Sequence, residues 1–202
     1  MSGFSWRGAL AGAAAVAALF GVDSPARALT AFGITYDLQG LSGLSTTTAF
    51  FNLHITGING PADTEGGRFG VESFAFTKPG TFSSASPPAG FAFVDGGLNA
   101  NGCNGSGNFF CFDGPTPAGP ALPANSTLDF AFSVTLSSGN FLNWTPDFKI
   151  NWDGTKNNYD LVSKPITINP VPGPIVGAGL PALMMACGGL LALGRRRRQR
   201  TV

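Results

Sequence analysis

A strict alternation of apolar and polar residues in the central part of the chain restricts its fold more than any other feature. From Leu128 to Leu136 every even position is apolar, and the odd positions are polar or small. Phe51, Leu53 and Ile55 alternate with polar neighbours in the same way. A period of two residues puts successive side chains on opposite faces of a β-strand. Both segments are therefore predicted to be strands with one face in a core and the other in water.

The rest of the segment 29–169 continues as short strands. The residues between these strands are rich in Gly, Pro, Asn and Asp, which form tight turns, and no stretch keeps the 3.6-residue period of an amphipathic helix. We predict an all-β fold, a single β-sandwich or jelly-roll-like domain over 29–169. Segments 82–90 and 113–125 are predicted to be surface loops. Further strands are predicted at 30–38, 69–77, 90–95, 109–112, 147–152 and 158–168.

The first 28 residues have the three parts of a secretory signal peptide. Arg7 provides the positive start, and an apolar stretch without charge runs from Ala9 to Val22. Ala26 and Ala28 are small residues at the two positions that a signal peptidase reads. The apolar stretch is short for a bilayer span, so residues 1–28 are predicted to be a removed signal helix, with an uncleaved anchor as the alternative. Both readings predict export.

The C-terminal region carries a second apolar segment. Residues 175–193 contain no charged side chain, and as a helix they would extend about 28 Å, close to the hydrocarbon thickness of a bilayer. A basic segment follows at 195–200, and such clusters keep their side of a span in the cytoplasm. Its first four residues are Arg195, Arg196, Arg197 and Arg198. We predict a transmembrane helix over 175–193, with the body of the chain outside the inner membrane.

A short proline motif stands directly before this span, formed by Val171, Pro172, Gly173 and Pro174. Motif, apolar span and arginine run together make the tail 170–202 resemble the PEP-CTERM sorting signal of exosortase substrates, in a variant with Gly173 where the family has its central Glu. The resemblance implies that an integral-membrane exosortase cuts near the motif and passes the protein to the cell surface. Exosortase systems accompany exopolysaccharide production, so the resemblance also implies a role in matrix or surface assembly.

The charge of the body limits its partners. Between residues 29 and 194 there are five Lys or Arg and ten Asp or Glu. Binding of nucleic acid needs a basic surface, so nucleic acid is not predicted as a partner. The arginine run is explained instead by its position after the apolar span.

Two cysteines in a glycine-rich stretch, Cys103 and Cys111, are eight residues apart. In an exported protein such a pair indicates a disulfide that closes a small loop, whereas zinc would need further ligands nearby. We predict this bridge, and we predict that Cys187, in the apolar tail, is unpaired.

Candidate catalytic groups are few. The single histidine, His54, lies on the polar side of a predicted strand and is predicted to be a structural hydrogen-bonding residue. Asp63 and Glu65 lie two residues apart, and Asp63, Glu65 or His54 are the candidates if the protein is a secreted hydrolase. The segment 153–160 has oxygen donors for calcium but lacks the spacing of an EF-hand. No Gly-x-Ser-x-Gly, His-Glu-x-x-His or phosphate-loop motif is present. The chain is therefore predicted to be non-catalytic and without a cofactor, with calcium at 153–160 as the alternative.

Aromatic residues near the end of the body suggest another function. Trp152 alternates with apolar residues and is predicted to lie in the core, whereas Trp144 is the candidate for an exposed surface that stacks on sugar rings. The leading prediction is an exported, non-catalytic cell-surface or extracellular-matrix protein, processed by signal peptidase and exosortase. The alternative is a carbohydrate-binding module for exopolysaccharide that uses Trp144.

Overall fold

A computed structural model of the chain describes residues 28–115, 119–154 and 163–171. These residues form an all-β fold, and no helix in them could cross a membrane. The predicted signal helix lies outside the described residues except for Ala28, as does the predicted span 175–193. The strands are β1 (Leu29–Ala31), β2 (Ile34–Ser42), β3 (Thr48–Ile58), β4 (Gly70–Thr77), β5 (Phe82–Ser86), β6 (Ala92–Val94), β7 (Gly97–Asn99), β8 (Gly102–Gly105), β9 (Phe109–Asp113), β10 (Ser126–Leu136), β11 (Asp147–Asp153), β12 (Lys164–Pro165) and β13 (Ile168–Pro170).

The strands form two main sheets and a small hairpin. The six-stranded sheet has the order β1-β2-β3-β10-β5, with β13 added beside β2, and the five-stranded sheet has the order β12-β11-β4-β9-β6. Strands β7 and β8 make the hairpin. Pairing is antiparallel throughout the two sheets except between β13 and β2, which run parallel. Because β3, β4, β5 and β6 belong alternately to one sheet and the other, the chain crosses repeatedly between the two layers.

The core lies between the two sheets and consists largely of phenylalanine rings. Phe132 of the six-stranded sheet stacks on Phe76 of the five-stranded sheet at 5.5 Å between ring centroids. Tyr36 and Phe148 meet across the same interface at 5.3 Å. Aromatic pairs at these separations add attraction beyond the burial of apolar area. The predicted β-sandwich-like all-β fold is confirmed, and so is the predicted burial of Trp152, which has no exposed surface.

The alternation seen in the sequence corresponds to the two faces of the six-stranded sheet. Phe51, Leu53 and Ile55 of β3 are fully buried, and the polar residues between them point away from the core. Strand β10 pairs with β3 from Ser126 to Thr135 and shows the same alternation over its C-terminal half. The two strands predicted most directly from the sequence therefore stand side by side in the middle of this sheet.

Several predicted elements differ from the observed ones. The predicted strand 30–38 is two strands, because Phe32 and Gly33 both have positive φ and turn the chain between β1 and β2. A side chain at Gly33 would clash with the backbone of Ala62, since its Cβ would lie 1.6 Å from the carbonyl oxygen. The described part of segment 158–168 is likewise divided, because β12 pairs with β11 whereas the following β13 pairs with β2.

The loop prediction for 82–90 is wrong over Phe82–Ser86, which forms β5 on the edge of the six-stranded sheet. Ser84 and Ser86 pair with Thr135 and Ser133 of β10, so the strand is held by backbone hydrogen bonds and carries small polar residues outward. The hairpin of β7 and β8 was not predicted. In segment 113–125, the described residues after Asp113 form no strand, as predicted.

Candidate functional site

The predicted disulfide between Cys103 and Cys111 is present. Cys103 belongs to β8 and Cys111 to β9, so the bond attaches the hairpin to the five-stranded sheet. Both cysteines are buried, and they pack with Ala75 and Leu98 in a small apolar cluster separate from the main core. The bond therefore fixes a glycine-rich segment that has little apolar surface of its own to hold it in place.

Asp63, one of the two carboxylates considered for hydrolysis, forms an ion pair with Arg68. Arg68 donates from Nε to Asp63 Oδ2 at 2.9 Å and from Nη2 to Asp63 Oδ1 at 3.1 Å. Neither side chain has exposed surface. Backbone N–H groups of Asn59, Glu65 and Gly66 also donate to the carboxylate. Such a fully engaged carboxylate is typical of a structural ion pair.

The protonation of Asp63 follows from these contacts. Burial acts to raise the pKa of Asp63, but the hydrogen bonds from Arg68, Gly66 and Asn59 outweigh it and hold the pKa below its ordinary value. The guanidinium of Arg68 lies 4.9 Å from the centre of the Trp152 ring, which adds a cation–π contact. Glu65 is exposed, so the two carboxylates of the predicted pair lie in different environments.

The outer face of the six-stranded sheet carries a connected set of polar side chains, which we call the polar ladder. Asn52 donates from Nδ2 to Gln39 at 3.2 Å and to Asp129 at 2.7 Å. Gln39 in turn donates to Asp37 at 3.0 Å. The ladder crosses four strands, β13, β2, β3 and β10, and its members are Asn169, Asp37, Gln39, Asn52, His54 and Asp129.

His54 occupies one end of the polar ladder. Its Nδ1 lies 2.8 Å from Asp129 Oδ1, and because a carboxylate only accepts, Nδ1 carries the proton. Hydrogen bonds from Asn52 and His54 hold the pKa of Asp129 below its ordinary value. The predicted hydrogen-bonding role of His54 on the sheet is therefore observed. The hydrogen-bonded cluster that His54 joins faces outward from the sheet.

Trp144, the predicted sugar-stacking residue, is half-buried. Its ring packs at 5.5 Å against Phe51 and at 5.7 Å against Phe141, and its Nε1 donates to the backbone oxygen of Thr77 at 3.1 Å. Most of the ring therefore contacts protein, contrary to the expectation of an exposed platform. Its remaining edge lines a shallow cavity of about 190 Å³ next to Leu142 and Ile168.

Sequence reasoning missed Phe50, which is 52% exposed and is the most exposed phenylalanine among the described residues. It lies on the outer face of β3, next to the polar ladder, and is paired with Ser133 of β10. The sequence did contain a signal, because Phe50 occupies a polar-side position of the strand whose other side is formed by Phe51, Leu53 and Ile55. A large apolar residue that is out of phase with the pattern is expected at the surface.

The calcium candidate 153–160 is described only at Asp153 and Gly154. In the described ranges, no three His, Cys, Asp or Glu side chains are grouped to hold a metal ion. Glu72 lies in the five-stranded sheet together with Asp113 and Asp153. Burial raises the pKa of Glu72 most, and the negative charges of Asp153 and Asp113 raise it further. Asn151 donates to Glu72 from Nδ2 at 3.0 Å.

The residues predicted to be read during export and sorting are described only in part. Ala28 is exposed, and Val171 is 42% exposed and donates its backbone N–H to Gly40 at 3.0 Å. The other residues of this prediction lie outside the described residues; they are Ala26, Pro172–Pro174 and Arg195–Arg198. The chain matches no protein-family model and no curated protein.

Proposed function

We propose that the protein is an exported, non-catalytic component of the cell surface or extracellular matrix. In this proposal, a signal peptidase removes residues 1–28 and an exosortase-type enzyme recognises the tail 170–202. The observation that carries the proposal is the order of the tail, in which the motif Val171–Pro174 precedes an uncharged segment and an arginine cluster. That order fits a precursor held in the inner membrane by residues 175–193.

The Cys103–Cys111 disulfide supports export. Disulfides that serve structure persist in oxidising compartments and are rare in the cytosol, where thiols are kept reduced. The bond lies in the body, about sixty residues before the sorting motif, so it supports export independently of the tail.

The position of Val171 supports processing at the motif. The parallel pairing of β13 with β2 ends at Pro170, and Val171 donates a backbone hydrogen bond to Gly40. The sorting motif therefore begins where the sheet ends, at an exposed residue. A cut at or after Val171 would therefore leave the pairing of β13 with β2 intact.

The candidate catalytic side chains already form hydrogen bonds within the protein, which supports a non-catalytic role. Asp63 is enclosed by Arg68 and backbone amides, and His54 and Asp129 bind each other within the polar ladder. We propose no cofactor for this function, and calcium at 153–160 remains a separate hypothesis. The proposed processing partners are signal peptidase and exosortase.

Carbohydrate binding is the second candidate function. The observation that favours it is the exposed Phe50 ring beside the polar ladder, rather than Trp144. This candidate is compatible with the first, because a matrix protein can bind exopolysaccharide without catalysing a reaction. A hydrolase is not favoured by any arrangement of the described carboxylates.

The sorting proposal is tested by changing the motif in the producing cell. We expect the double variant Pro172→Ala/Pro174→Ala to accumulate in the inner membrane with its tail attached, whereas the wild-type protein reaches the cell surface. The control is Pro120→Ala/Pro123→Ala, which changes two exposed prolines of the body and leaves the tail intact. Cell fractionation followed by mass measurement reports both properties. A motif variant that is distributed and processed like the wild type would contradict the proposal.

A further inference from the structure

Phe50 is surrounded by polar side chains that share its face of the six-stranded sheet. Cross-strand partners in an antiparallel sheet point to the same side. Phe50 pairs with Ser42 of β2 and with Ser133 of β10, and Ser133 pairs in turn with Ser86 of β5. The ring therefore stands in a row of hydroxyl groups that crosses four strands.

The polar ladder begins one row further along the sheet. Asn52 is two residues from Phe50 on the same strand and lies about 7 Å away at the usual rise per residue. His54 and Asp129 form the row beyond it, about 14 Å from the ring. An apolar ring, a row of hydroxyls and a row of amides and carboxylates thus follow one another along an extended, accessible surface.

This combination of groups matches the chemistry of a sugar chain. A sugar ring presents C–H groups that pack on an aromatic face, and its hydroxyls both donate and accept hydrogen bonds. Amides such as Gln39 and Asn52 can do both, and the carboxylate of Asp129 accepts. Mutual hydrogen bonds already hold these side chains in place, which lowers the entropy lost when a ligand binds.

The charge of the face selects among glycans. The outward-facing residues include the acidic Asp37 and Asp129. No Lys or Arg occurs in the six strands that form this sheet. An anionic polymer would meet two carboxylates without a compensating cation, so the complementary ligand is a neutral glycan.

We propose that the outer face of the six-stranded sheet binds a neutral polysaccharide, with Phe50 stacked on a sugar ring and the polar ladder bound to the hydroxyls of a neighbouring sugar. The proposal specifies the site and ligand class of the second candidate function. It rests on the geometry of the sheet and not on export or sorting. Trp144 has no part in this site.

The test is affinity electrophoresis of the full chain in native gels. The protein is purified in a polyoxyethylene detergent, because detergents with sugar head groups would compete with a glycan. Separate gels contain hydroxyethyl cellulose, galactomannan, xylan or dextran as neutral polysaccharides, and alginate as the anionic one. We expect retardation in at least one neutral gel. The arginines of the tail can bind alginate, so retardation in that gel is expected not to depend on Phe50.

Variants at position 50 connect this binding to the proposed face. Phe50→Ala is expected to weaken the retarding interaction roughly tenfold or more, the loss typical of a central aromatic contact, and Phe50→Tyr is expected to retain it. The matched control is Phe69→Ala, because Phe69 is also a partly exposed phenylalanine, directly before β4 of the other sheet. Thermal unfolding of each variant separates a lost contact from a lost fold.

Absence of retardation in every neutral gel would overturn the proposal, and so would equal retardation of the wild type and a folded Phe50→Ala variant. A loss of alginate retardation in Phe50→Ala that exceeds the loss in every neutral gel would also overturn it. If Phe50→Ala instead converts a dimer to a monomer with unchanged retardation, the face binds a second copy and the glycan proposal is wrong. None of these results affects the sorting proposal, which is tested by processing in the cell.

Discussion

Arg68 and Asp63 form a buried ion pair with two hydrogen bonds, at 2.9 Å and 3.1 Å, on top of the Trp152 ring. The pair fixes the loop between β3 and β4 against the end of the core. Asn59 strengthens this arrangement, because its side chain accepts from the Arg68 N–H and donates to the backbone oxygens of Arg68 and Leu122. Asp63, which was a candidate catalytic carboxylate in the sequence analysis, therefore has a structural role in this loop.

Removal of the Asp63 charge is expected to destabilise the fold strongly. Asp63→Asn removes the negative charge that accepts two hydrogen bonds from the buried guanidinium of Arg68, and loss of one partner of a buried pair costs about 3–5 kcal/mol. Urea unfolding of the full chain measures this difference. The control Glu65→Gln changes an exposed carboxylate in the same loop and is expected to stay within about 0.5 kcal/mol of the wild type. Equal stability of the two variants would contradict the structural role of the pair.

Glu72 is expected to make stability depend on pH in the opposite direction to Asp63. Because its pKa is raised in the fold, its favourable contribution is fully present below the pKa of the unfolded chain. That contribution is lost as the pH rises through the higher pKa of the folded state. Glu72→Gln is therefore expected to stabilise the protein at pH 7, on the order of 0.5 kcal/mol, and to give no gain at about pH 3.5.

The measurement for Glu72 is urea unfolding of the wild type and the Glu72→Gln variant at the two pH values. The substituted amide keeps an oxygen that can accept from Asn151, so the comparison isolates the charge. A gain at the acidic pH together with none at neutral pH would show that the sign is wrong. The lowered pKa of Asp63 has the reverse consequence, since its contribution is present above the pKa of the unfolded chain and is lost as the pH falls through the folded-state pKa.

Loss of the disulfide is expected to weaken the five-stranded sheet near the hairpin. For a loop of this length, removal of the Cys103–Cys111 bond costs roughly 2–3 kcal/mol. The double variant Cys103→Ser/Cys111→Ser should unfold at correspondingly lower urea concentration. Cys187→Ser is the control and should match the wild type. Unchanged stability of the double variant would mean that the bond does not hold the hairpin in place.

Truncation of Trp144 is expected to act through the fold. The ring fills space between Phe51, Phe141 and other core rings, so Trp144→Ala should cost about 2–4 kcal/mol. Leu142→Ala is a matched control, because Leu142 lines the same cavity but is 64% exposed and should cost little. Thermal unfolding compares the two variants. Full stability of Trp144→Ala, combined with loss of polysaccharide binding, would restore Trp144 as a sugar contact.

The sequence predicts the central strands because one of their faces is uniformly apolar. Leu128–Leu136 and the alternation at Phe51–Ile55 are recognisable without knowledge of their neighbours. Strand β5 was missed because Ser83, Ser84 and Ser86 have no apolar period, and its place is decided by pairing with β10. Local patterns do not contain that long-range information.

The positions and contacts of the candidate site residues were less predictable than the strands. The five-residue separation of Asp63 and Arg68 has no local signature, and their pairing depends on how the loop folds back on Trp152. The exposure of Trp144 could not be inferred either, since it follows from packing between the two sheets. Phe50 was recognisable in principle from its position on the polar side of a strand.

The account depends most on the claim that the chain is exported and processed at both ends. The most direct test is the intact mass of the protein recovered from the surface of its producing cells. We expect a chain that begins at Leu29, ends within Val171–Pro174, and weighs two hydrogens less than its reduced form because of the Cys103–Cys111 bond. Recovery from the cytosol of a chain that retains residues 1–28 and 175–202 and has free thiols would contradict the account.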